Sequence, residues 1–251
     1  MLIIKNIIKF FFPNIQMYPF IISSLVKFYC DYYKFIRSIK SNSNDKNNIK
    51  LEPHIYDYRF NSGFLQKHYF QQDLWVARKV FESNTNIHYD IGSRLDGFVG
   101  NISVFCKVFE FDLRTQNKNI NNINFIQSDI TNLPVKENTI KSLSCLHVVE
   151  HIGLGRYKDT INPHGSIEAI KDIIRILSVN GNLYISVPVG RECICFNAHR
   201  IFSPITIMKY FTNLNLISYS LIDDNDYLFE NIEPKLINDI NYGCGLFHFK
   251  K

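Results

Sequence analysis

A strand-like run that passes at once into a glycine turn constrains the fold of this chain more than any other feature. Residues 88–97 read His-Tyr-Asp-Ile-Gly-Ser-Arg-Leu-Asp-Gly, so the strand-like part ends close to Asp90 and the turn begins at Gly92. Glycine has no Cβ, so the backbone can turn tightly there, and the amides of the following helical segment then face a ligand. This pattern predicts the first strand and ligand-binding turn of a doubly wound α/β sheet.

Two further acidic residues stand at the ends of predicted strands. Asp112 closes the run 108–112, and Asp129 closes the run 125–129. Asp112 follows Asp90 by 22 residues, close to the spacing of about 20 between a glycine turn and a ribose-binding acid. An acid after the second strand can accept both ribose hydroxyls, and one after the third can reach the adenine amino group. Together they predict an adenosine site.

Apolar patterning predicts alternating strands and helices over most of the chain. Strands are expected near 87–91, 107–112, 123–127, 140–147, 181–187, 215–222 and 243–249. Helices are expected near 71–81, 96–105, 166–178 and 204–211, with Asn180-Gly181 as the stop signal after the third. Such alternation indicates a mostly parallel sheet covered on both faces, the Rossmann-like doubly wound architecture.

The N-terminal part differs in charge from the rest. Residues 1–50 contain eight Lys and Arg against two Asp and Glu, and residues 41–50 are a polar stretch typical of a linker. We therefore expect a basic, apolar helical appendage over 1–50 and a catalytic domain over 51–251. The catalytic part is nearly neutral, which disfavours nucleic acid as a partner.

The apolar residues of the appendage are not expected to form a membrane-spanning segment. The longest uncharged run, 10–26, contains Pro13 and Pro19 and is shorter than the about 20 apolar residues that a spanning helix needs. Apolar residues mixed with lysines favour helices on an anionic membrane surface, so residues 1–40 are expected either to contact the inner membrane surface peripherally or to pack as a cap or dimer element.

Six scattered cysteines without a Cys-x-x-Cys unit indicate a reduced, cytoplasmic chain. Cys193 and Cys195 are interpreted as alternating residues on one strand face.

The order of elements and acids resembles that of the class I S-adenosylmethionine-dependent methyltransferases. The matching motifs are Asp90-Ile-Gly92, Asp112, Ser128-Asp-Ile-Thr-Asn-Leu-Pro134, Ser144-Cys-Leu-His-Val-Val-Glu-His151 and Gly181-Asn-Leu-Tyr-Ile-Ser-Val-Pro188. Residues 90–99 and 146–159 look like those of an uncharacterised family, a domain of unknown function, within that superfamily. The resemblance covers roughly residues 70–250 and implies an antiparallel last strand.

The resemblance also implies S-adenosylmethionine as the cofactor. The residues expected to hold it are Asp90, Gly92, Ser93, Arg94, Asp112, Asp129, Ile130 and His147. One departure affects the methionine end, because Arg94 replaces the usual second glycine and the next glycine is Gly97. Arg94 either holds the cofactor carboxylate as a bidentate partner, or the methionine end sits differently.

Three side chains follow the fourth predicted strand, where substrates approach an open α/β sheet: His147, Glu150 and His151. Methyl transfer mainly requires an aligned acceptor, and a hydroxyl acceptor also needs a base. His151 is the first choice for this base and His147 the second, with a structural histidine bonded to backbone an equal alternative for either.

Residues on neighbouring loops are candidates for binding the acceptor. His199 and Arg200 follow the fifth strand, and Arg156 and Tyr157 follow Gly155. These side chains suit an acceptor hydroxyl, phosphate or carboxylate, although His199 and Arg200 are also suited to anchoring their loop.

Two other functions fit part of the pattern. Residues 147–151 match the His-x-x-Glu-His pattern of inverted zinc peptidases, but that site needs a helix, which Gly153 and Gly155 disfavour. No metal is therefore expected. The second is a scaffold that binds the cofactor but catalyses no reaction.

The favoured interpretation is transfer of a methyl group to a hydroxyl of a small molecule or glycan, such as a sugar or lipid-linked saccharide in polysaccharide biosynthesis. The sequence leaves the oligomeric state open.

Overall fold

The computed structural model describes residues 18–38, 49–59, 62, 68–117, 119–234 and 240–251. The chain divides into two compact units, Met1–Leu65 and Gln66–Lys251, whereas composition placed the end of the linker at residue 50. Most of the predicted linker, and residues 1–17 of the predicted appendage, lie outside the described residues.

The first unit contains helix α1, Tyr18–Ser38, and a short 3-10 helix, Ile55–Arg59. Large apolar side chains recur along one face of α1 at helical spacing, and each is 53 to 65% exposed: Tyr18, Ile22, Val26, Tyr29 and Tyr33. Among the described helices, none combines the length and apolar character needed to cross a bilayer.

The second unit is built on one eight-stranded sheet and a small separate hairpin. The strands are β1 Ile87–Ile91, β2 Lys107–Asp112, β3 Ile123–Gln127, β4 Ile140–Leu146, β5 Leu177–Val189, β6 Cys193–Cys195, β7 His199–Ile201, β8 Asn215–Ile222, β9 Leu228–Phe229 and β10 Gly243–Lys250. The large sheet has the order β3-β2-β1-β4-β5-β10-β8-β9, and β6 pairs with β7. The first five of these strands are parallel, and β10 is antiparallel to both β5 and β8. The predicted doubly wound, mostly parallel sheet with an antiparallel last strand is confirmed.

In the described residues of the second unit, four α-helices accompany this sheet: α2 His68–Glu82, α3 Gly100–Ile102, α4 Gly165–Ile176 and α5 Pro204–Tyr210. Helices α2, α4 and α5 lie where the apolar pattern predicted them. Buried side chains of α2, such as Trp75 and Val80, belong to one core cluster, and those of α4, such as Ile170 and Ile173, belong to another. Strands covered on both faces in this way are nearly continuous in apolar character.

Two helix predictions were wrong. The expected helix 96–105 is a π-helical turn, Leu95–Val99, followed by the three-residue α3. Gly97 breaks it with φ −130° and ψ −111°, and a Cβ there would lie 2.3 Å from Oδ2 of Asp73. The expected stop signal at Asn180-Gly181 lies inside β5, because the helix already ends at Ile176 and Leu177 pairs with Ile140 of β4.

Candidate functional site

The site lies where parallel strands end together. Gly92, Asp112 and His147 follow or close β1, β2 and β4, so they meet at one edge of the sheet. Two adjoining cavities open there, of 460 and 80 Å³, and both are lined by these three residues. We call the two together the edge cavity. Its position at the carboxyl ends of the strands is the usual ligand position in open α/β sheets.

Asp90 supports this edge from beneath. Its carboxylate is fully buried and accepts hydrogen bonds from the Ser93 amide at 2.9 Å, the Ser93 hydroxyl at 2.7 Å and the Ser144 hydroxyl. Burial raises the pKa of Asp90 to about 6. The side chain does not line the edge cavity. The contacts of Asp90 therefore fix the turn, and its predicted contact with a cofactor stays a prediction.

Gly92 makes the turn that brings the backbone to the cavity. It has φ +62°, and a Cβ would lie 3.2 Å from Cγ2 of Val148. The Gly92 amide donates to the carbonyl of Phe111 at 2.8 Å. Glycine adopts a left-handed backbone conformation without steric cost because it has no Cβ. A side chain at this position would therefore strain the turn and crowd the cavity wall.

Asp112 lines the cavity but is already engaged. Its Oδ1 accepts from the amide and Nε of Arg114 at 2.8 and 3.0 Å, and its Oδ2 accepts from an Arg114 terminal nitrogen at 2.6 Å. Arg114 also stands over the ring of Tyr157, 4.8 Å from its centroid. A ligand that uses Asp112 must therefore share or displace this guanidinium.

Asp129 and Ile130 line the smaller, more enclosed cavity. The Oδ1 of Asp129 accepts from the amide and hydroxyl of Thr131, both at 2.8 Å. Ile130 is buried against the apolar core. Asp112 and Asp129 thus lie along one cavity, as expected for the two ends of an adenosine.

Ser93 and Arg94 line the larger cavity. The Arg94 guanidinium donates to both oxygens of Asp96 at 3.1 Å and lies 5.4 Å from the ring centroid of Tyr69. Arg94 therefore lies at the cavity wall and is already paired with the carboxylate of Asp96. If it also binds the carboxylate of the cofactor, it must accommodate a second anion.

His147 is buried in the wall of the edge cavity and has a left-handed backbone, with φ +54°. Its Nδ1 donates to Oε1 of Glu150 at 2.8 Å, and its Nε2 lies 3.3 Å from Sγ of Cys244. Burial lowers its pKa to about 3. Both ring nitrogens are thus committed to buried partners. A non-glycine residue in this conformation is uncommon and concentrates at functional sites.

His151 lines both parts of the cavity. Its Nδ1 lies 2.6 Å from the carbonyl of Ala198, so Nδ1 donates and Nε2 carries the lone pair. That Nε2 is 3.5 Å from Oε1 of Glu150. Burial lowers the pKa of His151, against the opposing effect of Glu150. The result is a neutral imidazole at neutral pH with its basic nitrogen beside a carboxyl group.

Glu150 connects the two histidines. It is fully buried, and its Oε1 faces His147 and His151 while its Oε2 has no hydrogen-bond partner in the described part of the chain. Burial raises the pKa of Glu150 to about 7.

The loop after β4 carries two further predicted residues. Tyr157 lines both cavities, and Arg156 lines the larger one and stands 5.2 Å from the Tyr157 ring centroid. Asp159 holds the loop by accepting from the amides of Gly153 at 2.7 Å and Tyr157 at 3.1 Å.

His199 and Arg200 do not line the edge cavity. The Arg200 guanidinium is buried and donates to the carbonyls of Ile152 at 2.7 Å and Glu150 at 3.3 Å, so it anchors the loops. His199 makes an edge contact with Tyr242 at 5.0 Å between centroids. Binding of an acceptor by either residue stays a prediction.

The lining residues that sequence analysis did not predict include three with polar or charged groups: Tyr69, Glu110 and Arg114. Glu110 lies two residues before Asp112, on the same side of β2, and burial raises its pKa to about 7. That two-residue periodicity was a usable signal. Tyr69 comes from α2, far along the chain, and the sequence carries no mark of its approach.

The zinc-peptidase arrangement is not formed. Residues 147–151 form turns rather than a helix, and the histidine nitrogens bind Glu150 and the Ala198 carbonyl. Cys193 and Cys195 lie exposed on β6 with their sulfur atoms 3.9 Å apart, in agreement with their interpretation as residues of one strand face.

Comparison with known proteins identifies the family of this chain. Residues 104–233, half of the sequence, match the family described as "Caenorhabditis protein of unknown function, DUF268". The chain belongs to this family. No curated protein matches the sequence of this DUF268 member.

Solved structures share the fold of this DUF268 chain. The N-methyltransferase NodS from Bradyrhizobium japonicum WM9, in complex with S-adenosyl-L-homocysteine, has a TM-score of 0.53 and 14% identity over 72% of this chain and 86% of NodS. A putative methyltransferase from Bacillus halodurans C-125 gives 0.51 and 13% over 70% and 98%. The [4+2]-cyclase SpnF gives 0.51 and 10% over 70% and 80%. The chain has the fold of the class I S-adenosylmethionine-dependent methyltransferases.

Proposed function

We propose that this DUF268 chain is an S-adenosylmethionine-dependent methyltransferase that methylates a hydroxyl of a small molecule or glycan. One observation carries the proposal: Gly92, Asp112 and Asp129 line the same cavity as the imidazole of His151. A cofactor cradle and a base on one cavity are the two parts that methylation of a hydroxyl needs.

The residues of the cavity fit the proposed cofactor. Asp112 would accept the ribose hydroxyls and Asp129 the adenine amino group, while the Gly92 turn lets the backbone approach the ligand. Bound S-adenosylmethionine supplies an electrophilic methyl group on a sulfonium. The likeness to NodS, which was solved with S-adenosylhomocysteine, supports this choice of ligand.

His151 is the proposed base. Its hydrogen bond to the Ala198 carbonyl leaves Nε2 unprotonated, and burial keeps the pKa low enough for the neutral form to dominate. With the cofactor bound, Nε2 would take the proton of the acceptor hydroxyl whose oxygen receives the methyl group, and the thioether S-adenosylhomocysteine would leave. The neighbouring Glu150 oxygen, 3.5 Å away, then faces the new imidazolium and stabilises it. His147 is less suited, because both of its nitrogens face buried groups.

The acceptor is proposed to approach past Arg156 and Tyr157. The Arg156 guanidinium has no carboxylate within ion-pair distance among the described residues, and it donates to the Ala198 carbonyl at 3.0 Å. An unpaired guanidinium beside an aromatic ring suits a sugar that carries a phosphate or carboxylate. A cytoplasmic role in polysaccharide biosynthesis, on a lipid-linked saccharide, accords with this chemistry.

Helix α1 is proposed to contact an anionic membrane surface. Its exposed apolar face is accompanied by Lys27, Lys34 and Arg37, the combination typical of helices that lie in the interface. Vesicles with anionic lipid should retain the chain, and Tyr29→Glu should weaken that retention. Equal retention by neutral vesicles, or none by either, contradicts the proposal.

The test of methyl transfer uses the full chain and S-adenosylmethionine labelled in its methyl group. Acceptors are nucleotide sugars, lipid-linked saccharides and free hydroxyl compounds. We expect label on an acceptor oxygen, with a loss of about 100-fold or more in His151→Gln and no loss in the control His164→Gln, an exposed residue outside the cavity. Label on nitrogen contradicts the hydroxyl acceptor. Cofactor binding without transfer to any acceptor favours a scaffold, and SpnF shows that this fold also serves a cyclase.

A further inference from the structure

Three side chains with metal-binding atoms meet behind the edge cavity. His68 is the first residue of α2, His147 follows β4, and Cys244 lies on β10. All three are buried, and one ligand atom from each lies within 4.8 Å of the others. We call them the His–His–Cys cluster. The proposed methyl transfer requires neither His68 nor Cys244.

We propose that the His–His–Cys cluster binds a divalent ion of the zinc type through two imidazole nitrogens and one thiolate. Nε2 of His147 and Sγ of Cys244 are 3.3 Å apart. Tetrahedral zinc, with bonds of about 2.0 Å to nitrogen and 2.3 Å to sulfur, separates two such ligands by about 3.5 Å. The observed pair is therefore close to the spacing that the ion requires.

His68 completes the set from the other side. Its ring stacks on that of His147, with centroids 4.6 Å apart and an angle of 20°. The nitrogen lone pairs of two stacked imidazole rings point in parallel rather than at one shared ion. Coordination therefore requires the His68 ring to tilt towards the Cys244 thiol. Three protein ligands leave the fourth position of a tetrahedral ion to water.

Glu150 supports the site in two ways. Its Oε1 accepts from Nδ1 of His147 at 2.8 Å, which turns Nε2 of that ring towards Cys244. A carboxylate on the far nitrogen of a histidine is the common support of a zinc ligand. Charge balance is the second way. Glu150 is fully buried, and its ion pairs within the described residues are only with His147 and His151. One carboxylate and one thiolate together neutralise a divalent ion.

Binding involves no oxidation or reduction. The Cys244 thiol loses its proton to solvent, and the sulfur lone pair forms the bond to the ion, so each ion bound releases the thiol proton together with any proton still held by Glu150. The two imidazoles bind as neutral ligands. Without an ion, the Cys244 thiol lies within hydrogen-bond distance of Nε2 of His147, at 3.3 Å, and of Oε1 of Gln72, at 3.6 Å. This hydrogen-bonded arrangement is the alternative that an experiment must separate.

The test measures metal in the full chain, expressed without a polyhistidine tag and purified without chelator. We expect about one zinc per chain in the wild type and in Cys145→Ser, a control at a buried cysteine outside the cluster. Cys244→Ser should lose the zinc, and Glu150→Gln should bind it about 10–100-fold more weakly.

A second measurement does not depend on any variant folding. Cobalt added to the metal-free wild type should produce a thiolate-to-cobalt charge-transfer band that saturates at one equivalent, with release of at least one proton. A folded wild-type chain that holds no zinc and shows no such band overturns the proposal. Because no cofactor or acceptor is added, failure here is distinct from failure of the methyltransferase proposal.

Discussion

Arg114 binds the carboxylate of Asp112, which is expected to bind the cofactor ribose. Substitutions of Asp112 and of Arg114 should therefore change the affinity for the cofactor in opposite directions. Asp112 accepts three hydrogen bonds from Arg114. The Arg114 side chain is 56% exposed and that of Asp112 is 12% exposed. An ion pair that is open to solvent on one side is worth at most about 1 kcal/mol. Displacing the guanidinium is therefore a small cost, whereas losing the carboxylate removes the ribose contacts.

The predicted effects follow from these energies. Asp112→Ala removes the charged acceptor of the ribose hydroxyls. Since one hydrogen bond to such an acceptor is worth about 1.5–3 kcal/mol, S-adenosylhomocysteine should bind at least about 10-fold more weakly. Arg114→Met frees the carboxylate and should tighten binding by up to about fivefold, the equivalent of about 1 kcal/mol. In the double variant the tightening should vanish, because no carboxylate remains to be freed.

Isothermal titration calorimetry with S-adenosylhomocysteine measures all three affinities. Glu137→Ala is the matched control, since this acid is exposed and lines neither cavity. Unchanged affinity in folded Asp112→Ala removes the ribose role from this residue. Weaker binding in Arg114→Met refutes the competition between guanidinium and ribose.

Three other predictions concern stability and pH. Gly92→Ala places a side chain in left-handed backbone beside Val148 and should lower the free energy of unfolding by about 1–2 kcal/mol; denaturant titration measures it, and an unchanged midpoint contradicts the strain. His151 must be neutral to act as a base, and burial lowers its pKa against Glu150, with Arg156 and His147 acting in the same direction as burial. The acid limb of kcat/KM should therefore lie below pH 6.5, the usual histidine value, and a limb above it contradicts this role. His88 is fully buried, which lowers its pKa to about 3 from 6.5. Between these two pH values the unfolded chain binds a proton at His88 that the folded chain does not. The contribution of His88 to the free energy of unfolding is therefore complete above pH 6.5 and falls by about 1.4 kcal/mol for each pH unit below it. If the free energy of unfolding of His88→Asn has the same pH slope as that of the wild type, this reasoning is wrong.

Local signals account for what sequence analysis predicted correctly. Asp112 ends β2 and Asp129 follows shortly after β3, and strand order alone brings parallel strand ends to one edge of the sheet. The group His147, Glu150 and His151 follows β4 directly, so its placement at the rim needed no long-range information. Both histidines do line the cavity.

Contacts between distant segments account for what was missed. The predicted helix at 96–105 breaks at Gly97, where the Asp73 carboxylate of α2 lies so close that a Cβ would not fit. The His–His–Cys cluster draws on α2 and β10, which are separated by most of the chain, so no spacing pattern marks it. The hydrogen bonds of Arg114 to Asp112 are local, but the same guanidinium also stands over the ring of Tyr157, which comes from the distant loop after β4.

The central claim is that S-adenosylmethionine binds at the carboxyl edge of the sheet, between Gly92, Asp112 and Asp129. A crystal structure of the full chain, grown with S-adenosylhomocysteine at a concentration that saturates binding in solution, tests it most directly. We expect electron density for the ribose at Asp112 and for the adenine beside Asp129 and Ile130. A nucleoside seated outside the edge cavity, or a chain that shows no saturable binding at all, contradicts it.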